Sequence, residues 1–291
     1  MGGAVAARLR SVGVAVAATD VRPGAADLAR AIDVSWCDGP EALAATSTTV
    51  LTLLPGPGEV RDVIAPVLDH LPRGAAWLDL TSGVPALAGE IRARARHDVR
   101  TLECPLGGSP ADAREGRLLG YLGAAEEDRV RCRWLIDLIC MDLVHVGAPG
   151  TGYLVKLLSN LLWFGQAIAV SEALALAARL GLDPHEVRTA LGRGPAGSRF
   201  LERDAARLLD GDDMTTFALA RCLEELGGVI ELGGEHGLEL GVATGVRDVY
   251  RRALRRYGDV DGELLGARLI AEDLGVTFGG SGHAEAADGA E

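Results

Sequence analysis

Lysine is almost missing from this chain. Of 29 basic residues only Lys156 is a lysine, and the rest are arginine. Arginine stays protonated at any working pH, whereas a desolvated lysine can lose its proton. A position that must give and take a proton cannot use the arginine that serves everywhere else, so Lys156 is singled out. Aromatic residues are also scarce, at 4% against 48% hydrophobic residues overall, and the core must be built from Ala, Val and Leu. Positive charge is in deficit. A net charge of −12 argues against a nucleic-acid partner, which would need a basic face. The five cysteines (Cys37, Cys104, Cys132, Cys140 and Cys222) show no metal-ligand or redox spacing. They read as reduced thiols of a cytoplasmic protein, and with the histidines scattered no structural metal is expected. Long charge-free apolar runs are lacking apart from residues 157–174, which include Asn160, Gln166, Ser171 and Glu172. That run reads as a core helix, and no membrane partner is expected. Residues 1–18 have the outline of a signal peptide, but a helix start followed by a strand explains them better.

The chain is organised around Gly147-Ala148-Pro149-Gly150-Thr151-Gly152 and the apolar stretch after it. No proline occurs between Pro149 and Pro184, so a glycine turn should feed one long helix over about Gly150 to Leu180. Lys156 falls in its second turn and Asn160 four residues on, so the two project from one face. Polar groups on an apolar helix are costly unless partnered, which marks this pair as functional.

Upstream, strands alternate with helices. Residues 1–9 read as a helix start. Val14–Thr19, Thr48–Leu54, Ala76–Leu80, Val99–Cys104, Leu118–Ala124 and Leu143–Val146 read as strands. This alternation predicts an α/β, Rossmann-like doubly wound parallel sheet with ligands at the carboxyl ends of its strands. Downstream, Asp183–Leu191, Ser198–Leu209, Phe217–Glu235, Ala243–Tyr257 and Asp261–Leu274 read as helices of an all-α domain, and Gly279–Glu291 as a disordered tail.

The segment Gly147, Gly150, Gly152, Lys156, Asn160 resembles the catalytic helix of the β-hydroxyacid dehydrogenases, the family of 3-hydroxyisobutyrate dehydrogenase, related to 6-phosphogluconate dehydrogenase. Other stretches follow the family's order. Met1-Gly2 resembles the end of its Gly-x-Gly-x-Met-Gly loop. On that resemblance Gly2 is the third glycine, the first strand and two glycines are missing, and the given start is an internal methionine or a truncation. Asp20 lies where an acid contacts the adenosine ribose in NAD enzymes, and Arg22 is a candidate for the 2′-phosphate of NADP. Asp20 as a plain helix N-cap is compatible with either cofactor. Leu54-Pro55 and the turn through Thr81 and Ser82 resemble the turns that line the cofactor, with Thr81 and Ser82 in swapped order. The stretch Glu103-Cys104-Pro105-Leu106-Gly107-Gly108-Ser109 resembles the substrate loop Asp-Ala-Pro-Val-Ser-Gly-Gly, with Gly107 in place of the family serine and Ser109 in place of its second glycine. Glu224-Glu225 stand where the family has Lys-Asp. Glu224 there reads either as a charge reversal at the site or as a solvated helix face.

The resemblance implies an NAD(P)-binding domain at 1–146, an α-helical substrate and dimerisation domain at 147–275 and a disordered tail at 276–291. It implies hydride transfer between NAD, with NADP possible, and a β-hydroxy acid or related small alcohol. Lys156 would be the general acid/base, Asn160 its partner, and Gly107, Gly108 and Ser109 the grip on the substrate's acid group. A small-molecule substrate and a homodimer or homotetramer are the implied partners. An imine reductase-like enzyme and a non-catalytic dimerisation or binding module remain alternatives. Lys156 argues against the first, and the missing glycine loop together with Glu224 supports the second.

Overall fold

In the computed structural model residues 1–279 are described, and they fall into two compact units, Met1–Leu158 and the part from Ser159 onward. The tail expected at 276–291 lies outside the described residues beyond Gly279.

The first unit opens with helix α1 (Gly2–Ser11), strand β1 (Ala17–Ala18), α2 (Ala25–Ala31), β2 (Ser35–Trp36) and α3 (Pro40–Thr46). It continues through β3 (Thr49–Thr52), α4 (Pro57–Leu68), β4 (Ala76–Asp79), α5 (Pro85–Arg94) and β5 (Arg100–Glu103). The last elements before the long helix are β6 (Leu106–Gly107), α6 (Pro110–Glu115), β7 (Leu118–Gly123), α7 (Glu126–Ile136) and β8 (Cys140–Gly147). Proline sits in the first turn of α3, α4, α5 and α6, where its missing N–H costs nothing and its fixed φ suits the helix. β4 is buried at every position, as a strand covered on both faces must be.

β3, β4 and β5 are parallel neighbours, with Thr52 opposite Asp79 and Asp79 opposite Glu103. The expected doubly wound sheet is present and is mixed at β7, which is antiparallel to β5 and β6 and parallel to β8. The link from β5 to β7 contains the two-residue β6 and the six-residue α6. The strand expected over Val14–Thr19 is reduced to two residues, because β1 pairs only with β2, in a two-stranded sheet separate from the larger one. One apolar cluster joins α1 and α7 to one side of the large sheet through Val5, Leu9, Leu78, Leu122 and Ile136. A second joins α4 and α5 to it through Val60, Trp77, Leu87 and Tyr153.

Helix α8 (Thr151–Arg179) begins in the first unit and carries the chain into the second. It is the one helix among the described residues long and apolar enough to cross a membrane. The second unit then contains α9 (Pro184–Gly192), a π-helical turn (Phe200–Asp204) running into α10 (Ala205–Leu209), α11 (Leu219–Glu235), α12 (Gly241–Tyr257) and α13 (Leu265–Asp273). The helix expected over Ser198–Leu209 is therefore split by a π turn. The only pairing of extended backbone among its described residues is the bridge Ala218–Asp261. Trp163, Phe164, Phe200 and Tyr250 meet edge-to-face at its centre, with ring centroids 5.1–5.4 Å apart.

Candidate active site

The carboxyl ends of β3, β4 and β5 carry Thr52, Asp79 and Glu103, all buried. Thr52 donates its hydroxyl to Asp79 Oδ1 at 2.7 Å, and accepts the Trp77 indole N–H at 2.8 Å. The Thr81 amide donates to the same Asp79 oxygen at 3.1 Å, and the Tyr153 hydroxyl donates to the other. Glu103 Oε1 accepts two amides of the glycine turn, Gly150 at 2.5 Å and Gly152 at 3.3 Å. Burial pushes both carboxyls upward against these hydrogen bonds, Glu103 to about 8. Burial, and then the Asp79 charge, raise the Tyr153 hydroxyl well above its ordinary range.

This cluster explains why the turn needs its glycines. Gly147 and Gly150 have φ of 134° and 99°, a region other residues rarely enter. Gly152 is pressed so closely on the end of β7 that a Cβ there would lie 2.5 Å from the Tyr121 carbonyl oxygen. Across the turn, Tyr153 fills the space left by Gly83, where a Cβ would come within 2.7 Å of its ring. The first turn of α8 is thus fastened to β4, β5 and the 81–85 turn at once. Lys156, half-buried, follows one helical turn after Tyr153.

The cofactor-side residues lie on the same edge of this unit. The Leu54 amide donates to Thr81 Oγ1 at 3.1 Å, joining the Leu54-Pro55 and Thr81-Ser82 turns. Thr81 is only 2% exposed, so its hydroxyl ties turn to turn. Ser82 is half-buried and Pro55 exposed. Gly2 begins α1 close to Leu53, the nearest atom to a Cβ there being Leu53 Cβ at 3.8 Å. Asp20 grips Arg22 through both carboxylate oxygens and accepts its backbone amide at 2.9 Å. That grip holds the Asp20 carboxyl below its usual range. Asp20 is not an N-cap, since α2 begins only at Ala25 and is capped by Gly24. The amino end of a ten-residue helix, an ionised acid just past β1 and two joined turns at the ends of β3 and β4 fit a dinucleotide.

In the loop expected to meet the substrate, Ser109 is engaged with Asp112. Its amide donates to Asp112 Oδ2 at 2.9 Å and its hydroxyl to the same oxygen at 2.6 Å. Its oxygen in turn accepts the Asp112 amide at 3.2 Å. Ser109 is the N-cap of α6 in a capping box, with both of its donors on Asp112. Gly107 lies in the β6–β7 ladder opposite Leu119. Gly108 is exposed with φ of 124°.

In the second unit Asn160 Nδ2 donates to Glu225 Oε2 at 2.6 Å. Glu224 turns away to an exposed ion pair with Arg221, 2.6 Å and one helical turn back. Glu224 thus lies on a solvated helix face, and Glu225 is the acid that bonds to Asn160. Sequence reasoning assigned no role to Asp79, Glu103, Tyr153 or Glu225. An acid closing a buried strand, as at Asp79 and Glu103, was the available signal. All five cysteines are free, and no group of three potential metal-ligating side chains occurs among the described residues.

Residues 1–147 match the family model for the NAD binding domain of 6-phosphogluconate dehydrogenase. Residues 150–267 match that for the NAD-binding of NADP-dependent 3-hydroxyisobutyrate dehydrogenase. The chain is similar to 2-(hydroxymethyl)glutarate dehydrogenase of Eubacterium barkeri, 27% identical over 82% of this chain and 81% of that one. In fold it resembles the Mycobacterium tuberculosis 3-hydroxyisobutyrate dehydrogenase solved with L-serine, with a TM-score of 0.83 at 24% identity over 94% and 95% of the two chains. An imine reductase of Streptomyces aurantiacus superposes less closely, with a TM-score of 0.61 at 18% identity over 92% and 95%. The chain belongs to the β-hydroxyacid dehydrogenase family, as an NAD(P)-dependent dehydrogenase acting on a small molecule.

Proposed function

We propose that this enzyme oxidises the hydroxyl of a β-hydroxy acid or related small alcohol, and runs the reverse reduction, with Lys156 as general acid/base. The observation that carries this is the single lysine of the chain, held half-buried one turn beyond a glycine turn clamped to the ends of β4 and β5. When bound, NAD(P) supplies the hydride acceptor. Lys156 Nζ takes the hydroxyl proton as the C–O bond gains double-bond character and returns it in the reverse direction. Asn160, tied to Glu225, orients Lys156 or the substrate oxygen. Gly107 and Gly108 approach the substrate's acid group through backbone, while Ser109 shapes that loop by capping α6. Gly2 would meet the pyrophosphate, Asp20 the adenosine ribose, and Leu54, Pro55 and Ser82 the nicotinamide side, with Thr81 bracing that turn.

NAD is the preferred cofactor on this reading. Asp20 is ionised and already holds Arg22, and a 2′-phosphate would have to draw Arg22 away. The assignment of 1–146 to cofactor and 147–275 to substrate and subunit contacts belongs to the same proposal, as does a cytoplasmic location. Homodimer or homotetramer formation is supported by α8. Leu158, Leu162, Leu176 and Leu180 are 44–71% exposed along and just past this helix, at spacings that repeat on one face. Light scattering of the purified chain tests the oligomer.

The catalytic proposal is tested with Lys156→Arg. The variant should keep cofactor binding and lose turnover, whereas near-normal rates would remove Lys156 from the mechanism.

A further inference from the structure

The two amides that converge on Glu103 belong to the turn that launches α8, while Glu103 belongs to the end of β5. The geometry points to Glu103 as a positioning residue, one whose carboxyl sets the register of the first turns of α8 and so the place of Lys156. The inference rests on the reading of Lys156 given above.

Three features show that the contact is built for reach. First, Glu103 is 2% exposed, so water cannot replace it as the acceptor for the two amides. Second, the surrounding backbone has been cleared for it. A Cβ on Gly123 would lie 1.9 Å from Glu103 Oε1 and one on Gly152 3.2 Å from its Cγ, so glycine is needed on both sides of the carboxyl. Third, the neighbouring tie runs in parallel, Tyr153 of α8 donating to Asp79 at the end of β4, the strand paired with β5. Two adjacent strand ends therefore hold two successive points of the same helix start. A helix held at Gly150, Gly152 and Tyr153 has little freedom to slide or rotate, and Lys156 lies three residues past the last tie.

Reach and the titratable carboxyl can be separated. Glu103→Gln keeps an oxygen acceptor at the same distance and removes the titratable carboxyl. Glu103→Asp keeps a carboxyl and withdraws the acceptor by one methylene. Because the chain has one lysine, protein carrying ¹³C- and ¹⁵N-labelled lysine gives one lysine side-chain signal, which reports on Lys156 without reference to turnover. For wild type and both variants, kcat and KM for cofactor and a β-hydroxy acid would be measured beside this signal.

The expected result is that Glu103→Gln keeps the wild-type kcat and lysine signal. Glu103→Asp should lose about 100-fold in kcat, the usual cost of a misplacement near 1 Å. Its lysine signal should shift and its KM for cofactor should hold. The inference is overturned if Glu103→Asp matches wild type in rate and signal. It is equally overturned if Glu103→Gln falls as far as Glu103→Asp, since the carboxyl itself and not its reach would then matter. If the lysine signal moves as expected but Lys156→Arg still turns over, the positioning of α8 stands and the catalytic role of Lys156 falls.

Discussion

Buried polar groups are distributed differently in the two units. In the first, Thr52, Asp79, Thr81 and Glu103 are all buried at one edge of the sheet. There they bond to each other, to Tyr153 or to the glycine turn. Among the described residues of the second, the buried polar residues Ser171 and Asp204 do not join one network. Ser171 donates to the Ala267 carbonyl at 2.5 Å, and Asp204 accepts the Trp163 indole at 3.0 Å and the exposed Arg203 guanidinium at 3.1 Å. An isolated buried polar contact ties two helices together. A connected set placed where strands end and a functional helix begins is costly to build and is worth that cost when it fixes a site. The difference marks the edge shared by β3, β4, β5 and the start of α8 as the place where the first unit is most firmly tied.

The largest effect that would sharpen this contrast is on rate. Lys156→Arg should lower kcat by at least about 100-fold, the contribution typical of a positioned general acid/base, with the melting temperature little changed. A stopped-flow or steady-state assay with NAD checks it.

The next effect is on stability. Asp79→Ala leaves the Thr52, Thr81 and Tyr153 donors without their acceptor, and at about 1–3 kcal/mol for each unsatisfied group it should cost at least about 3 kcal/mol in urea unfolding. Asp204→Ala strands one donor, the Trp163 indole, and releases the exposed Arg203 to water, and it should cost about 1–2 kcal/mol with kcat intact. Equal losses from the two would break the contrast.

A third prediction concerns pH. The Glu103 carboxyl rises on folding from an ordinary 4.5 to about 8. Between those values the folded state holds a proton that the unfolded state has lost. Stability from this group is thus fully present below about pH 4.5 and is lost as pH rises toward 8, with a slope of at most about 1.4 kcal/mol per pH unit. Unfolding free energies measured from pH 5 to pH 8 should fall in the wild type, and fall less steeply in Glu103→Gln.

The smallest effect is expected at Glu224. With its side chain 43% exposed in an i,i+3 pair with Arg221, Glu224→Ala should shift stability by about 0.5 kcal/mol or less and leave KM for substrate and cofactor unchanged.

Part of this site is legible from sequence, because a single lysine in an arginine-rich chain and the glycines before it need no coordinates to be noticed. The α/β alternation and the helical second half are legible for the same kind of reason, since apolar periodicity survives without tertiary contacts. Strand direction is not encoded that way. Leu118–Gly123 reads as a strand equally well running either way, and its direction shows only in the antiparallel pairing of Gly123 with Glu103. Asp79 and Glu103 look like ordinary polar strand terminators until the Gly150 amide and the Tyr153 hydroxyl, 47 and 74 residues away in sequence, are placed against them. Ser109 is a different case. The pattern Ser109-Pro110-Ala111-Asp112 is a local capping signal, legible without any tertiary contact.

The most direct measurement compares wild type and Lys156→Arg, with NAD and NADP binding and oxidation of a β-hydroxy acid panel followed on the same preparations. The account predicts equal cofactor affinity in the two proteins, tighter binding of NAD than NADP, and turnover only in the wild type. Comparable turnover in both, or no cofactor binding by either, would contradict it.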